Sequence, residues 1–119
     1  MHSWGPIRTR LAQARKSDVL ENSGLFAAFE QITDGIVVTD TEGEIQYVNP
    51  AFTLMTGYAS QEVIGHHTRI LKSGCQGVEV YRDLWNIIRS GRVWRGDMVN
   101  RRKDGTHYTE TMSKRRKGF

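Results

Sequence analysis

The run from Gly35 to Phe52 limits the possible folds more than any other part of this sequence. Gly35-Ile36-Val37-Val38-Thr39-Asp40 is rich in β-branched residues, Thr41-Glu42-Gly43 reads as a turn, and Glu44-Ile45-Gln46-Tyr47-Val48 resumes with alternating apolar side chains. Such a pattern predicts a β-hairpin. Asn49-Pro50 then ends the second strand abruptly. The proline suits the first position of a helix, and the asparagine amide oxygen can accept one of the helix's orphan N–H groups. A chain that passes from a hairpin straight into a capped helix is committed to an α+β architecture.

The flanking segments extend that order. Ala51, Phe52, Leu54 and Met55 predict a short helix closed by Gly57, and Ser60 is placed to cap a second one through Val63 and Ile64, closed by Gly65. His66 to Gly77 reads as irregular, with Ile70 and Leu71 its apolar pair. Tyr81, Leu84, Trp85 and Ile88 fall at i, i+3, i+4 and i+7, the stripe of an amphipathic helix that Gly91 ends. Val93–Asn100 and Thr106–Met112 predict two further strands around Lys103-Asp104-Gly105. Upstream, Leu25, Phe26, Phe29 and Ile32 predict a short helix, and Arg8–Asn22 is read as a leader helix with few apolar positions.

With 119 residues the chain has room for one domain and one modest core. No run approaches the roughly 18 apolar residues of a membrane span, and the basic start, Met1 to Arg15, lacks the apolar stretch of a secretory signal. A lone cysteine, Cys75, fits a reducing compartment, so a cytoplasmic location is expected. The net charge is +4, concentrated in Arg8–Lys16, Arg101–Lys103 and Lys114–Lys117. Those runs read as solvated surface, and nucleic-acid binding is the disfavoured alternative.

The chain resembles the PAS domain from about Phe26 to Met112. The matching pieces are Asp34-Gly35-Ile36 into Thr39-Asp40, Gly43-Glu44-Ile45 into Tyr47-Val48-Asn49-Pro50-Ala51-Phe52, Thr56-Gly57-Tyr58 with Glu62-Val63-Ile64-Gly65, and Trp94-Arg95-Gly96 leading to Asn100-Arg101-Arg102-Lys103-Asp104-Gly105. The resemblance implies an antiparallel sheet with short helices on one face, preceded by the leader helix. It divides the chain into a 1–24 connector, a 25–112 domain and a basic 113–119 tail. It also implies a signal-input module that binds a small ligand or dimerises and serves an output domain of the histidine kinase or diguanylate cyclase type. A complete sheet of this family has a last, central strand beside the first. Here Lys114–Lys117 would place charges on both faces of that strand. The last strand is therefore expected to be missing, and its place taken by the leader or by a partner chain, as in a homodimer.

No catalytic constellation is found. Asp40, Glu44 and Asp97 lack partners at an informative spacing, and Ser60 and Ser73 lack a recognisable base. His66 and His67 are adjacent and have no further ligands nearby, so no metal site is expected. The resemblance implies that a haem-binding member would present a histidine from the long helix, and Gly77 to Ile88 contains none, so haem is disfavoured. It implies too that a covalent flavin photosensor would carry a cysteine just after the second short helix; Gly65-His66-His67-Thr68-Arg69-Ile70-Leu71 has none and Cys75 lies beyond it, so that chemistry is disfavoured. Similarity to redox-sensing flavin domains of the family makes FAD the candidate cofactor. It implies a pocket lined by Arg69, Trp85, Trp94 and Asn100, while the aromatic residues are equally suited to plain core packing.

Overall fold

The computed structural model describes residues 7–15, 17 and 21–115. Its elements, in order, are β1 (Arg8–Gln13), α1 (Ser23–Gln31), β2 (Gly35–Thr39), β3 (Ile45–Val48), α2 (Pro50–Thr56), α3 (Ser60–Val63), a 3-10 turn (Thr68–Leu71), α4 (Val78–Arg89), β4 (Trp94–Arg101) and β5 (His107–Arg115). The predicted hairpins and short helices are all present. Two local details differ. The irregular stretch after His66 contains a 3-10 turn, and α3 starts through Glu62, whose carboxylate accepts the Ala59 N–H at 2.8 Å, instead of through a Ser60 cap.

The larger difference lies at the start of the chain. Arg8–Gln13, expected in a leader helix, is a strand. The sheet runs β3-β2-β1-β5-β4, so this strand fills the central slot between β2 and β5, and it is parallel to both. The two hairpins, β2–β3 and β4–β5, are antiparallel. The sheet is therefore mixed: leader residues complete it, as the charge pattern of the tail demanded, but by a parallel insertion. A slot with unpaired backbone on both sides orders a segment of modest propensity because every N–H and C=O of a buried strand needs a partner.

Alternation along the strands sorts side chains to two faces. On the inner face Leu11, Val37, Ile45 and Val48 pack with Phe52 of α2, Val63 of α3 and Leu71 of the 3-10 turn. Further along the same face Trp94, Met98 and Met112 pack against Leu84 and Ile88 of α4. On the outer face α1 covers Ile36, Val38 and Tyr47 with Phe29, flanked by Leu25 and Phe26. Asn49 ties these layers together. Its side-chain oxygen accepts the N–H groups of Ile36 (2.8 Å) and Phe52 (3.1 Å), while its amide donates to the carbonyls of Phe29 (3.0 Å) and Asp34 (2.9 Å). One buried side chain thus fixes the end of α1, the start of β2 and the start of α2.

The β4 edge is covered by the segment that follows the 3-10 turn. Gln76 brackets Val99, donating to its carbonyl at 3.0 Å and accepting its N–H at 2.9 Å, and Ser73 Oγ donates to the same carbonyl at 2.6 Å. A side-chain amide standing in for a neighbouring strand protects an edge that would otherwise invite pairing.

Candidate functional site

The alternation of β5 brings a carboxylate inside. Tyr108, Glu110 and Met112 all point to the inner face, and Glu110 is 2% exposed. Register places Glu110 opposite Met98 of β4, one step from the pair of Asn100 and Tyr108. Asn100 Nδ2 donates to Glu110 Oε1, and Thr9 Oγ1 of β1 donates to Glu110 Oε2. Gly35 of β2 faces Thr9 across the ladder, and a Cβ there would come within 3.2 Å of the threonine hydroxyl and 3.1 Å of Met55 Sδ. A glycine at this point lets α2 close over the polar cluster.

Burial raises the Glu110 carboxyl above the usual carboxylate range, and the two hydrogen bonds oppose that rise without cancelling it. The adjacent Tyr108 hydroxyl is likewise pushed up, first by burial and then by the charge of Glu110. Arg102 stacks over the Tyr108 ring, 4.7 Å from its centroid, and its Nε donates to the Met55 carbonyl at 2.9 Å. The site is thus a buried carboxyl of β5 held by an amide of β4 and a hydroxyl of β1, walled by Met55, Met98 and Tyr108. Its chemistry is that of a proton-accepting and hydrogen-bonding group whose state depends on what lies beside it.

The four residues predicted to line a pocket are spread over this half of the molecule. Asn100 is in the cluster. Trp94 is buried with Leu84, Ile88, Met98 and Met112, its ring lying over Gly96, where a Cβ would meet the ring at 2.6 Å. Trp85 is half-buried at the margin of that cluster, with Lys114 Nζ 4.4 Å from the centre of its ring. Arg69 is exposed on the 3-10 turn. Glu110 was not among the predicted residues. Its signal was present in the Tyr108-x-Glu110-x-Met112 alternation, which puts a carboxylate between two apolar residues of the inward register.

The residues set aside on sequence grounds have local roles. His67 Nδ1 accepts the Arg69 N–H at 3.0 Å and so caps the 3-10 turn, against Gly43, whose positive φ of 84° makes the β2–β3 turn. Cys75 is exposed, with its sulfur 3.7 Å from His107 Nδ1. Of the basic run at the β4–β5 turn, Arg102 is held as described and Lys103 pairs with Glu62. Among the described residues no group of three or more His, Cys, Asp or Glu is placed to hold a metal, and no helix is long and apolar enough to cross a membrane.

Comparison with known proteins places this architecture. The family model of the PAS fold matches residues 25–117, and the chain belongs to that family. A nitrogen fixation regulatory protein of Klebsiella oxytoca is 35% identical over 89 residues, 74% of this chain and 18% of the relative. A domain of a sensory box sensor histidine kinase/response regulator from Geobacter sulfurreducens superposes with a TM-score of 0.64 at 27% identity, covering 78% of this chain and 81% of that one. A light-oxygen-voltage domain studied with a flavin analogue superposes with a TM-score of 0.53 at 26% identity, covering 57% of this chain and 50% of the other. PAS domains are regulatory sensory modules, so the chain is of the signal-input type. It spans less than a fifth of the length of the first curated relatives it matches.

Proposed function

We propose that this chain is the signal-input module of a longer regulator, that it reads a small ligand at the Glu110 cluster, and that β1 carries the reading outward. The observation that supports this most directly is the bond from Thr9 to Glu110, which ties the central strand to a buried carboxyl of the inner face. We assign the module to residues 25–112, with the 1–24 leader lending it β1 and the first residues of the 113–119 basic tail, as far as Arg115, continuing β5. A change in the charge or hydrogen bonding of Glu110 alters the hold on Thr9. Because β1 is laddered to both β2 and β5, that change reaches both halves of the sheet.

FAD is our leading candidate for the ligand. The Asn100 amide and the Glu110 carboxyl offer a donor and an acceptor side by side, which fits the polar edge of a flavin ring. Trp94 and Trp85 border the same face, and exposed Arg69 would meet only an outer, anionic part of the ligand. A bound flavin would supply a redox-dependent change of charge at that edge. Glu110 would answer it by gaining or losing a proton, and Asn100 would orient the ring. We assign the output to a partner domain of the histidine-kinase type, on the likeness to the Geobacter sulfurreducens domain, and expect the module to act as a homodimer in the cytoplasm.

A second reading, a ligand-free dimerisation module, draws support from the inner face beside the cluster, where Trp94, Met98 and Met112 are closed against α4. One experiment separates the two. The visible absorbance of the purified chain is recorded before and after incubation with FAD, with mass spectrometry of whatever is released and the mass in solution measured alongside. A flavin spectrum weakened in Asn100→Ala supports the sensor. A colourless protein that takes up no flavin and is dimeric sinks the flavin assignment and leaves the dimerisation module.

A further inference from the structure

We propose that the outer face of the sheet carries a second binding site, for a small, multiply anionic phosphorylated molecule of nucleotide size. The α1 helix covers only the β2–β3 side of this face. Across β1, β5 and β4 lies an open groove of about 530 Å3, lined by Arg8 and Arg10, Arg95, and Thr111, Ser113 and Arg115. Its volume falls in the range of roughly 300 to 1,000 Å3 typical of small-molecule sites.

Register shows how the charges converge. Arg10 of β1 and Arg95 of β4 both pair with Ser113 of β5, so two guanidiniums flank one hydroxyl in a single cross-strand row. Arg115 lies two residues further along β5 on the same face, and Arg8 pairs with Thr111 in the row on the other side. Four arginines thus meet one lining carboxylate, Asp34, which is already engaged by Arg10 at 3.2 Å. Asp97, on the same face, accepts the Thr111 hydroxyl at 3.0 Å. Arg8, Arg95 and Arg115 have no ion pair among the described residues.

Arg115 lies diagonal to Arg10 on one neighbouring strand and to Arg95 on the other, and like charges gathered on one sheet face repel. A phosphorylated ligand removes that repulsion. Guanidinium forks match phosphate oxygens in pairs, and the Ser113 hydroxyl between Arg10 and Arg95 can donate to the same oxygens. No aromatic side chain lines the groove, so the stacking platform on which single-stranded nucleic acids rely is missing from it. The arginines come from both ends of the chain and from β4, and only insertion of β1 assembles them. The site does not depend on the inner-face reading.

The test is calorimetric titration of the full chain with inorganic pyrophosphate and with ATP, each in the absence of divalent metal. A single-stranded RNA oligomer and an oligo-aspartate peptide are titrated for comparison. Binding of both phosphate probes is expected, weakening as salt is raised, with affinity at least tenfold lower in Arg95→Gln and in Arg115→Gln. Arg89→Gln, on the exposed side of α4, should bind as the parent does. Circular dichroism confirms that each variant is folded, and the two groove variants on different strands guard against loss of one. Absence of binding by the phosphate probes overturns the proposal, as does binding unaffected by both groove variants. Binding confined to the RNA or to the acidic peptide overturns it equally.

Discussion

The two hairpins flanking β1 are built on opposite principles. The strands of the β2–β3 hairpin are buried except at Gln46: all five residues of β2 are buried, and α1 and α2 cover its two faces with Phe29 and Phe52. The β4–β5 hairpin has an apolar seam with α4, but it also carries a buried carboxyl, a buried amide and two of the groove arginines, Arg95 and Arg115. One half spends its residues on a rigid frame, and the other keeps polar groups whose state can change. A sensor needs both, because a switchable group transmits nothing unless it is anchored to something that does not yield.

The contrast can be broken most severely on the rigid side. Phe52→Ala, at 1% exposure beneath both β2 and the 3-10 turn, should cost about 3 to 5 kcal/mol in denaturant unfolding, a large share of a small domain's stability. Next comes Asn49→Ala, which removes the side-chain partner of two N–H groups and two carbonyls at once. A loss of about 3 kcal/mol is expected, above the roughly 1 kcal/mol of an ordinary helix cap. A loss no greater than that of a cap would show that Asn49 does not bind the three elements together. On the other side, Gln76→Ala should cost only about 1 to 2 kcal/mol, with faster amide exchange confined to Val99 and its neighbours on β4.

The smallest effect, and the sharpest, is in the pH dependence of Glu110→Gln. Burial raises the folded carboxyl above its unfolded value of about 4.3, so the folded state holds the proton more tightly. The parent protein should therefore gain stability as pH falls from the raised value toward about 4.3, and lose it as pH rises through the same window. Glu110→Gln should flatten that slope while changing the neutral-pH stability by less than about 1 kcal/mol. A slope identical in the variant would mean that Glu110 titrates normally and does not respond to its surroundings.

Much of the rigid half was legible in the amino-acid sequence because its signals are local. β-branched runs, the Asn49-Pro50 junction and the Tyr81-to-Ile88 stripe each act within a few residues. The remainder depended on distant partners. Arg8–Gln13 has no β-branched run and was read as helical; its strand exists because β2 and β5 offer it a slot. Glu110 has no informative partner close by in sequence, because its partners are Thr9, 101 residues away, and Asn100, across the hairpin. The basic runs lie far apart in sequence, and Arg95 belongs to none of them, so the groove that residues 8, 10, 95 and 115 form together has no local signal.

The position of β1 also sets the order in which the molecule can be made. Of the strands described in this domain, the first to be synthesised pairs with the last, and the Thr9–Glu110 contact spans 101 residues. Until β5 has been synthesised, β1 has at most one of its two neighbours and the sheet stands open at its middle. Closure is then a late, long-range event of the kind that slows folding and exposes strand edges in the meantime. The segment that completes this domain has therefore to be kept from other partners for nearly the whole time the domain is being built.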